Sequence, residues 1–353
     1  MKIKLAILEK DRSYLTRIVT AFGTKYADKF EIYSFTDADV AVSTLASARI
    51  DMLLASEAFD IQMDRLSARC AFAYLVDAAD IETVNDQQAI CKFQKADLIY
   101  KQILSIYSEK ASAITGFSAH GEKGKILIFT SVGGGVGSSC VAAACAMHCA
   151  QGEKKALYLN LEKFGSADLL FSGQGQFDLS DIIYALKSKK TNLSLKLEGC
   201  VKQDTSGVFF YSPAKIALDR MELNTEEIIR LLNELKVMGN YDYIIVDMDF
   251  GIDKDSMQIF RQAQNVVLVG NGTPESNLKT ERAWQAMVTL EQNADAPLTN
   301  RVCFVYNQVS SKNGQSIQAE GLKVLGGAPI ISNANTRQIM EQLAATDMFA
   351  QIL

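Results

Sequence analysis

Four of the six residues that follow Ser131 are glycine (Gly133, Gly134, Gly135 and Gly137), and two hydroxyls, Ser138 and Ser139, come directly after them. The apolar run Ile126–Phe129 precedes this cluster with strand composition, and a small-residue helical pattern opens from Cys140. A strand, a glycine loop and a helix in that order bind anions. Without Cβ atoms the backbone can turn its N–H groups inward, and the helix that follows adds its positive end. Phosphate is the anion expected on the main chain of Gly133, Gly134, Gly135, Val136, Gly137, Ser138, Ser139 and Cys140.

The common phosphate-binding loop, G-x-x-x-x-G-K-[ST], adds a lysine for the β- and γ-phosphates and a hydroxyl for Mg²⁺. Gly133 to Gly137 is too short for that spacing, and Ser138 stands where the lysine would precede the Ser139 hydroxyl. A second piece of chemistry lies far downstream. Tyr241–Asp247 reads as a continuous apolar strand with an aspartate at its carboxyl end, the end that faces ligand in a doubly wound sheet. An acid there can hold the water shell of Mg²⁺, which makes Ser139 and Asp247 the expected metal residues. Asp249 adds a second acid nearby, and is also placed to cap a helix that starts around Asp255. Glu162, after the strand Ala156–Leu161, is a candidate for orienting a water, or a surface acid at a strand end.

The elements that must position these residues read as α/β throughout. With 353 residues the chain is long enough for two to three domains, and 48% hydrophobic against 22% charged residues is ordinary globular composition. A net charge of −5 gives no broad basic face, so nucleic acid is not an expected partner. Nowhere do 18 apolar residues run together, and the segment Arg337–Leu353 has an apolar face with one cation and two acids, so neither membrane insertion nor a basic surface helix is expected. Seven cysteines without a C-x-x-C pair suit reduced thiols in the cytoplasm better than a disulfide framework. Cys145, His148 and Cys149 share a helix face, and packing explains them better than metal binding. Residues 1–110 alternate β and α, with strands at Ile3–Leu8, Phe30–Phe35, Met52–Ala55 and Phe72–Val76 and helices at Asp11–Phe22, Ala38–Ala48 and Leu98–Tyr107, which suggests five βα units. Residues 111–123 are the expected linker, and 124–353 form the second domain.

The run Gly134-Gly135-Val136-Gly137-Ser138-Ser139-Cys140 resembles the deviant phosphate loop, K-G-G-V-G-K-[ST]-[ST], of MinD/ParA-type ATPases. Gly133 occupies the place of that family's signature lysine, which crosses to the partner's nucleotide, and Ser138 occupies that of the cis lysine. The resemblance implies a mostly parallel P-loop NTPase sheet, ATP and Mg²⁺ as cofactors, Asp247 in the Walker B position, Asn307 reading the adenine edge, and a short loop Gly326–Ile331 whose Pro329 covers the base. In that family aspartates stand at the positions of Asn160 and Glu162, and Glu162 is the catalytic candidate carried over. Both phosphate-neutralising lysines are absent, so weak or no hydrolysis is expected; Lys163, Lys254 and Arg337 are the cations considered as substitutes.

Residues 1–110 resemble a response-regulator receiver (flavodoxin-like) domain with altered active positions. Glu9 and Asp11 stand for the acidic pair, Ser56 falls where the phosphorylated aspartate belongs, Asp77 lies near the usual hydroxyl, and Lys95 matches the strand-five lysine. A receiver-like domain ahead of a MinD/ParA-like domain without its lysines is similar to the TadZ/CpaE family of Tad type IV pilus assembly. That resemblance implies an ATP-binding homodimer in the cytoplasm, recruited to a cell pole, which recruits the Tad secretion machinery. The alternative is an active ParA/MinD-type partitioning or positioning ATPase.

Overall fold

The computed structural model describes residues 2–111, 124–188, 191–292, 297–310, 312 and 314–353. Of the expected linker, all but Ala111 lies outside the described residues. The elements group into two compact units.

The first unit runs β1 (Ile3–Leu8), α1 (Arg12–Lys25), β2 (Phe30–Phe35), α2 (Ala38–Ala48), β3 (Met52–Ser56), β4 (Ala71–Val76), β5 (Thr83–Val84), β6 (Gln87–Cys91) and α3 (Ala96–Ser108). Its sheet has the order β2-β1-β3-β4-β6-β5, parallel except for the β5–β6 hairpin. Asp11 starts α1 by accepting from the backbone N–H groups of Ser13 and Tyr14. The expectation of five βα units is corrected here. A single 3₁₀ turn, Met63–Arg65, stands between β3 and β4, and β4 reaches β6 through the hairpin. Phe59, Ile61, Met63, Leu66 and Cys70 pack on the core from a segment whose one helical piece is that turn, and Asn85 and Asp86, at φ 49° and 59°, supply the two left-handed positions of a tight hairpin turn.

The second unit begins with β7 (Lys125–Thr130), α4 (Ser138–Gln151), β8 (Ala156–Asn160), α5 (Ala167–Leu170) and the start of α6 (Leu179–Ser188). From Tyr184 the chain, including α7 (Leu193–Cys200), belongs with the first unit, although it lies within 124–353 in sequence. Leu195 enters the core formed by Ile99, Ile103 and Leu104, and a Cβ on Gly199 would come 2.9 Å from the Lys101 carbonyl oxygen. The second unit resumes with β9 (Lys202–Gln203), β10 (Phe209–Phe210), α8 (Ala217–Met221), α9 (Thr225–Met238), β11 (Tyr243–Asp247), α10 (Lys254–Phe260), β12 (Asn265–Gly270), α11 (Pro274–Leu290), β13 (Val302–Val309), β14 (Lys323–Pro329) and α12 (Thr336–Ala344).

Its sheet order is β14-β13-β12-β7-β11-β8-β10-β9, parallel apart from the antiparallel pair β9–β10. β7 is central, so both faces of Ile126–Thr130 are buried and the strand reads as an unbroken apolar run. Alanine and cysteine on α4 let that helix lie close against the sheet, with Met340, Leu343 and Phe349 covering it. His148 Nδ1 lies 2.7 Å from the Ala344 carbonyl oxygen, and Cys145 and Cys149 are buried in the core. The segment Gly326–Ile331, expected as a loop, is instead mostly edge strand: Gly326 and Gly327 pair with Val305 and Tyr306, and Pro329 with Val309. Proline is tolerated there because an edge strand leaves an N–H unused. No helix among the described residues is long and apolar enough to cross a membrane.

Candidate functional site

β7 ends at Thr130, and the chain enters the glycine loop before Gly137 caps α4 at φ 79° and ψ 31°. Gly135 is left-handed too, at φ 76°. Those two positions need glycine, since a side chain in this region is strained. From the end of β13, the buried Asn307 reaches the loop and its Nδ2 donates to the Val136 carbonyl at 2.9 Å. The amide thus braces the loop from behind Gly137, where an added Cβ would lie 2.5 Å from it. Two hydroxyls at the loop are buried without a partner among the described residues, Thr130 Oγ1 and Ser138 Oγ. Unpaired buried hydroxyls at an anion loop fit a site shaped for a polar guest.

Asp247 ends β11, beside β7 on one side and β8 on the other, and is 1% exposed. Its Oδ2 accepts from Tyr158 Oη at 2.7 Å and from Asn160 Nδ2 at 3.0 Å. Asn160 also donates to Glu162 Oε2 at 3.0 Å, and the Ser139 hydroxyl lies 3.4 Å from that same oxygen. Ser139, Asn160, Glu162 and Asp247 therefore form one cluster at the first turn of α4. Burial, reinforced by the negative charges of Glu162 and Asp249, raises the Asp247 carboxyl to about 7, while the Tyr158 and Ser139 hydroxyls pull the other way. A buried carboxylate held against two other acids is a group that a divalent cation would relieve. The donor set, two hard carboxylates and a hydroxyl, fits Mg²⁺.

A cavity of about 810 Å³ opens beside this cluster, lined among others by Lys163, Arg220, Asp249 and Phe250. Arg220 donates to the Leu161 carbonyl through Nε at 2.9 Å and Nη2 at 2.6 Å, pinning the loop that carries Glu162. Lys163 donates its backbone N–H to Asp249. Of the cations considered from the sequence, Arg337 is paired with Asp204 at 2.8 Å and Glu341 at 3.0 Å, Lys163 lines the cavity, and Lys254 is exposed at the start of α10. Pro329 is exposed at the end of β14. Tyr158, the nearest donor to Asp247, was not singled out by sequence reasoning; its place two residues before Asn160 in a strand, on the same face, was the available signal.

In the first unit Ser56 is buried at the end of β3, and its hydroxyl accepts from the Ala58 N–H at 3.4 Å. The lysine that meets the acids is Lys92, directly after β6, with Nζ 3.2 Å from Glu9 and 2.6 Å from Asp77. Lys95, expected in this role, caps α3 instead, because the strand ends at Cys91, earlier than the resemblance implies.

Residues 1–108 match the family model described as TadZ-like, receiver domain. Among solved structures the chain is similar to a ParA family ATPase from Chlorobium tepidum, at 20% identity over 65% of this chain and 96% of that one, with a TM-score of 0.50. It is also similar to a chain of the Aquifex aeolicus MinC:MinD cell division protein complex (19% identity, 65% and 95% covered, TM-score 0.49). A third similar structure is the Pyrococcus horikoshii septum site-determining protein MinD complexed with Mg-ADP (17% identity, 62% and 94% covered, TM-score 0.47). At such identities the ParA likeness shows the fold alone. No curated protein matches the chain in sequence. A segment similar to TadZ-like receiver domains thus precedes a part of the chain with a ParA-like fold.

Proposed function

We propose that this TadZ-like chain is an ATP-binding localisation and assembly factor of the Tad type IV pilus system, acting as a nucleotide-dependent homodimer in the cytoplasm at a cell pole. The observation that carries the reading is the pairing of an intact glycine cradle with the Ser139–Glu162–Asp247 cluster in a loop that has no lysine at 133 or 138. The N–H groups of Gly133 to Cys140 would hold the phosphates, Ser139 and Asp247 the metal, and Asn307 and Pro329 the base side. Bound Mg²⁺ would supply charge neutralisation for the phosphate oxygens. Glu162, bonded through Asn160, would orient a water with little cationic help opposite it. Losing one transition-state donor typically costs about 10²–10³ in rate, so a loop lacking both lysines favours ATP as a structural switch over ATP as fuel.

Sedimentation velocity with and without ATP and Mg²⁺, combined with a phosphate-release assay, tests this. ATP-dependent dimerisation with slow release is expected. Rapid release stimulated by a partner would favour a cycling ParA/MinD-type ATPase instead.

The receiver domain is proposed to serve protein contact. Ser56 offers no acyl-phosphate acceptor, and the Lys92 ammonium is held by Glu9 and Asp77. Incubation with radiolabelled acetyl phosphate should leave the protein unlabelled, whereas stable labelling in unit 1 would refute the assignment; Ser56→Asp tests whether the surrounding acids can still support transfer.

A further inference from the structure

The missing positive charge has a source that the motif does not contain. β12 lies beside β7 in parallel register, so the helix that follows it, α11, starts at the same end of the sheet as the glycine loop. Thr273 caps that helix by accepting from the Ser276 N–H, with Pro274 at the first helical position, so its first turns are held firmly. One turn in, Lys279 lies along the loop. A Cβ built on Gly133 would sit 3.9 Å from Lys279 Cδ and, its chain neighbours apart, would meet nothing else within 4 Å among the described residues. Gly133 is the position where the related loops carry their signature lysine.

The Lys279 ammonium rests on Glu275 Oε1 at 2.6 Å, in an i,i+4 pair whose side chains are 51% and 77% exposed. Such exposed pairs contribute little and are easily exchanged. The stem already reaches the loop, and the ammonium is two bonds beyond Cδ on a freely turning chain. A phosphate on the loop would offer it a doubly charged acceptor in place of a solvated carboxylate, and a charge-assisted contact to phosphate is stronger than an exposed pair.

We propose that Lys279 is a phosphate-binding residue of the nucleotide site, exchanging Glu275 for the terminal phosphate of a nucleoside triphosphate and standing in cis for the lysine absent at 133. The assignment rests on the nucleotide-binding reading of the loop. The position beside Gly133, at the outer end of the cradle, gives it a preference for three phosphates over two. Glu275 is then a positioning residue that parks the ammonium when the loop is empty.

Equilibrium titrations with ATP·Mg²⁺ and ADP·Mg²⁺ test this without any turnover. Lys279→Ala should weaken ATP binding roughly tenfold or more and ADP binding by no more than about threefold, with the ATP effect shrinking as salt rises. Lys279→Arg should retain most of the affinity. Gly133 has room for a side chain and no left-handed backbone, so Gly133→Lys in the Lys279→Ala background should restore ATP binding. Unchanged ATP binding by Lys279→Ala, or equal losses for ATP and ADP, overturns the assignment while leaving the site itself standing. Failure of the unaltered protein to bind either nucleotide would remove both.

Discussion

Replacing Asp247 with asparagine is expected to raise the stability of the ligand-free protein above pH 7 while removing its Mg²⁺-dependent nucleotide binding. In the folded protein the carboxyl is raised from 3.8 to about 7, because burial and the charges of Glu162 and Asp249 outweigh the hydroxyls of Tyr158 and Ser139. In the unfolded chain it ionises at its ordinary value. Between these two pH values the folded state binds the extra proton, so the contribution of this group to stability falls as pH rises from about 4 to about 7, and stays low above that. A shift of this size corresponds to on the order of 4 kcal/mol. The substituted amide would keep an acceptor for Tyr158 and Asn160 and carry no charge, so the variant should melt higher than the parent at pH 8 and close to it at pH 4. Differential scanning calorimetry in chelator checks the first half. Stability lower at both pH values would show that the carboxylate is stabilised by its partners and not by a metal. Metal binding must expel the Asp247 proton, so the apparent Mg²⁺ affinity of the unaltered protein should rise with pH up to about 7 and then level.

The second large effect is at Gly137. Valine there must adopt φ 79°, and its Cβ would fall 2.5 Å from Asn307 Nδ2 and 3.1 Å from Gln308 Nε2. The amide that would have to move is the one holding the Val136 carbonyl, so the cradle is distorted at the residue that starts α4. The backbone strain alone is worth about 1–3 kcal/mol. Gly137→Val should therefore abolish nucleotide binding and lower the melting temperature of unit 2 by several degrees. A circular dichroism melt beside a binding titration separates the two effects; a variant that binds normally would mean that the loop is not the nucleotide cradle.

Much of this was legible in the chain because the central strands are buried on both faces. β1 falls on the expected boundaries for that reason, β2 does so as a half-exposed edge strand, and the capping residues Asp11, Asp37 and Thr273 mark their helices. Long-range packing hid the rest. α7 alternates leucine with polar residues like a strand, but it is a helix buried almost all round, with Lys196 Nζ 2.7 Å from Ser105 Oγ, so no amphipathic stripe was needed. Gly326, Gly327 and Pro329 carry loop chemistry into an edge strand. At the site, the order of Gly137, Asp247 and Asn307 was readable and the face shared by Tyr158 and Asn160 was a local signal, while the approach of Lys279 to Gly133 comes from side chains brought together by strand order, which no local pattern encodes. The wrong lysine was read in the receiver domain for a simpler reason: β6 ends at Cys91, so Lys92 and not Lys95 occupies the strand end.

The central claim is that a glycine loop without lysine at 133 or 138 grips a nucleoside triphosphate. Isothermal titration of ATP into the full chain, in Mg²⁺ and again in chelator, tests it most directly. Saturable, stoichiometric heat in Mg²⁺ that largely vanishes in chelator is the predicted result; no heat of binding at millimolar ATP under either condition would contradict it.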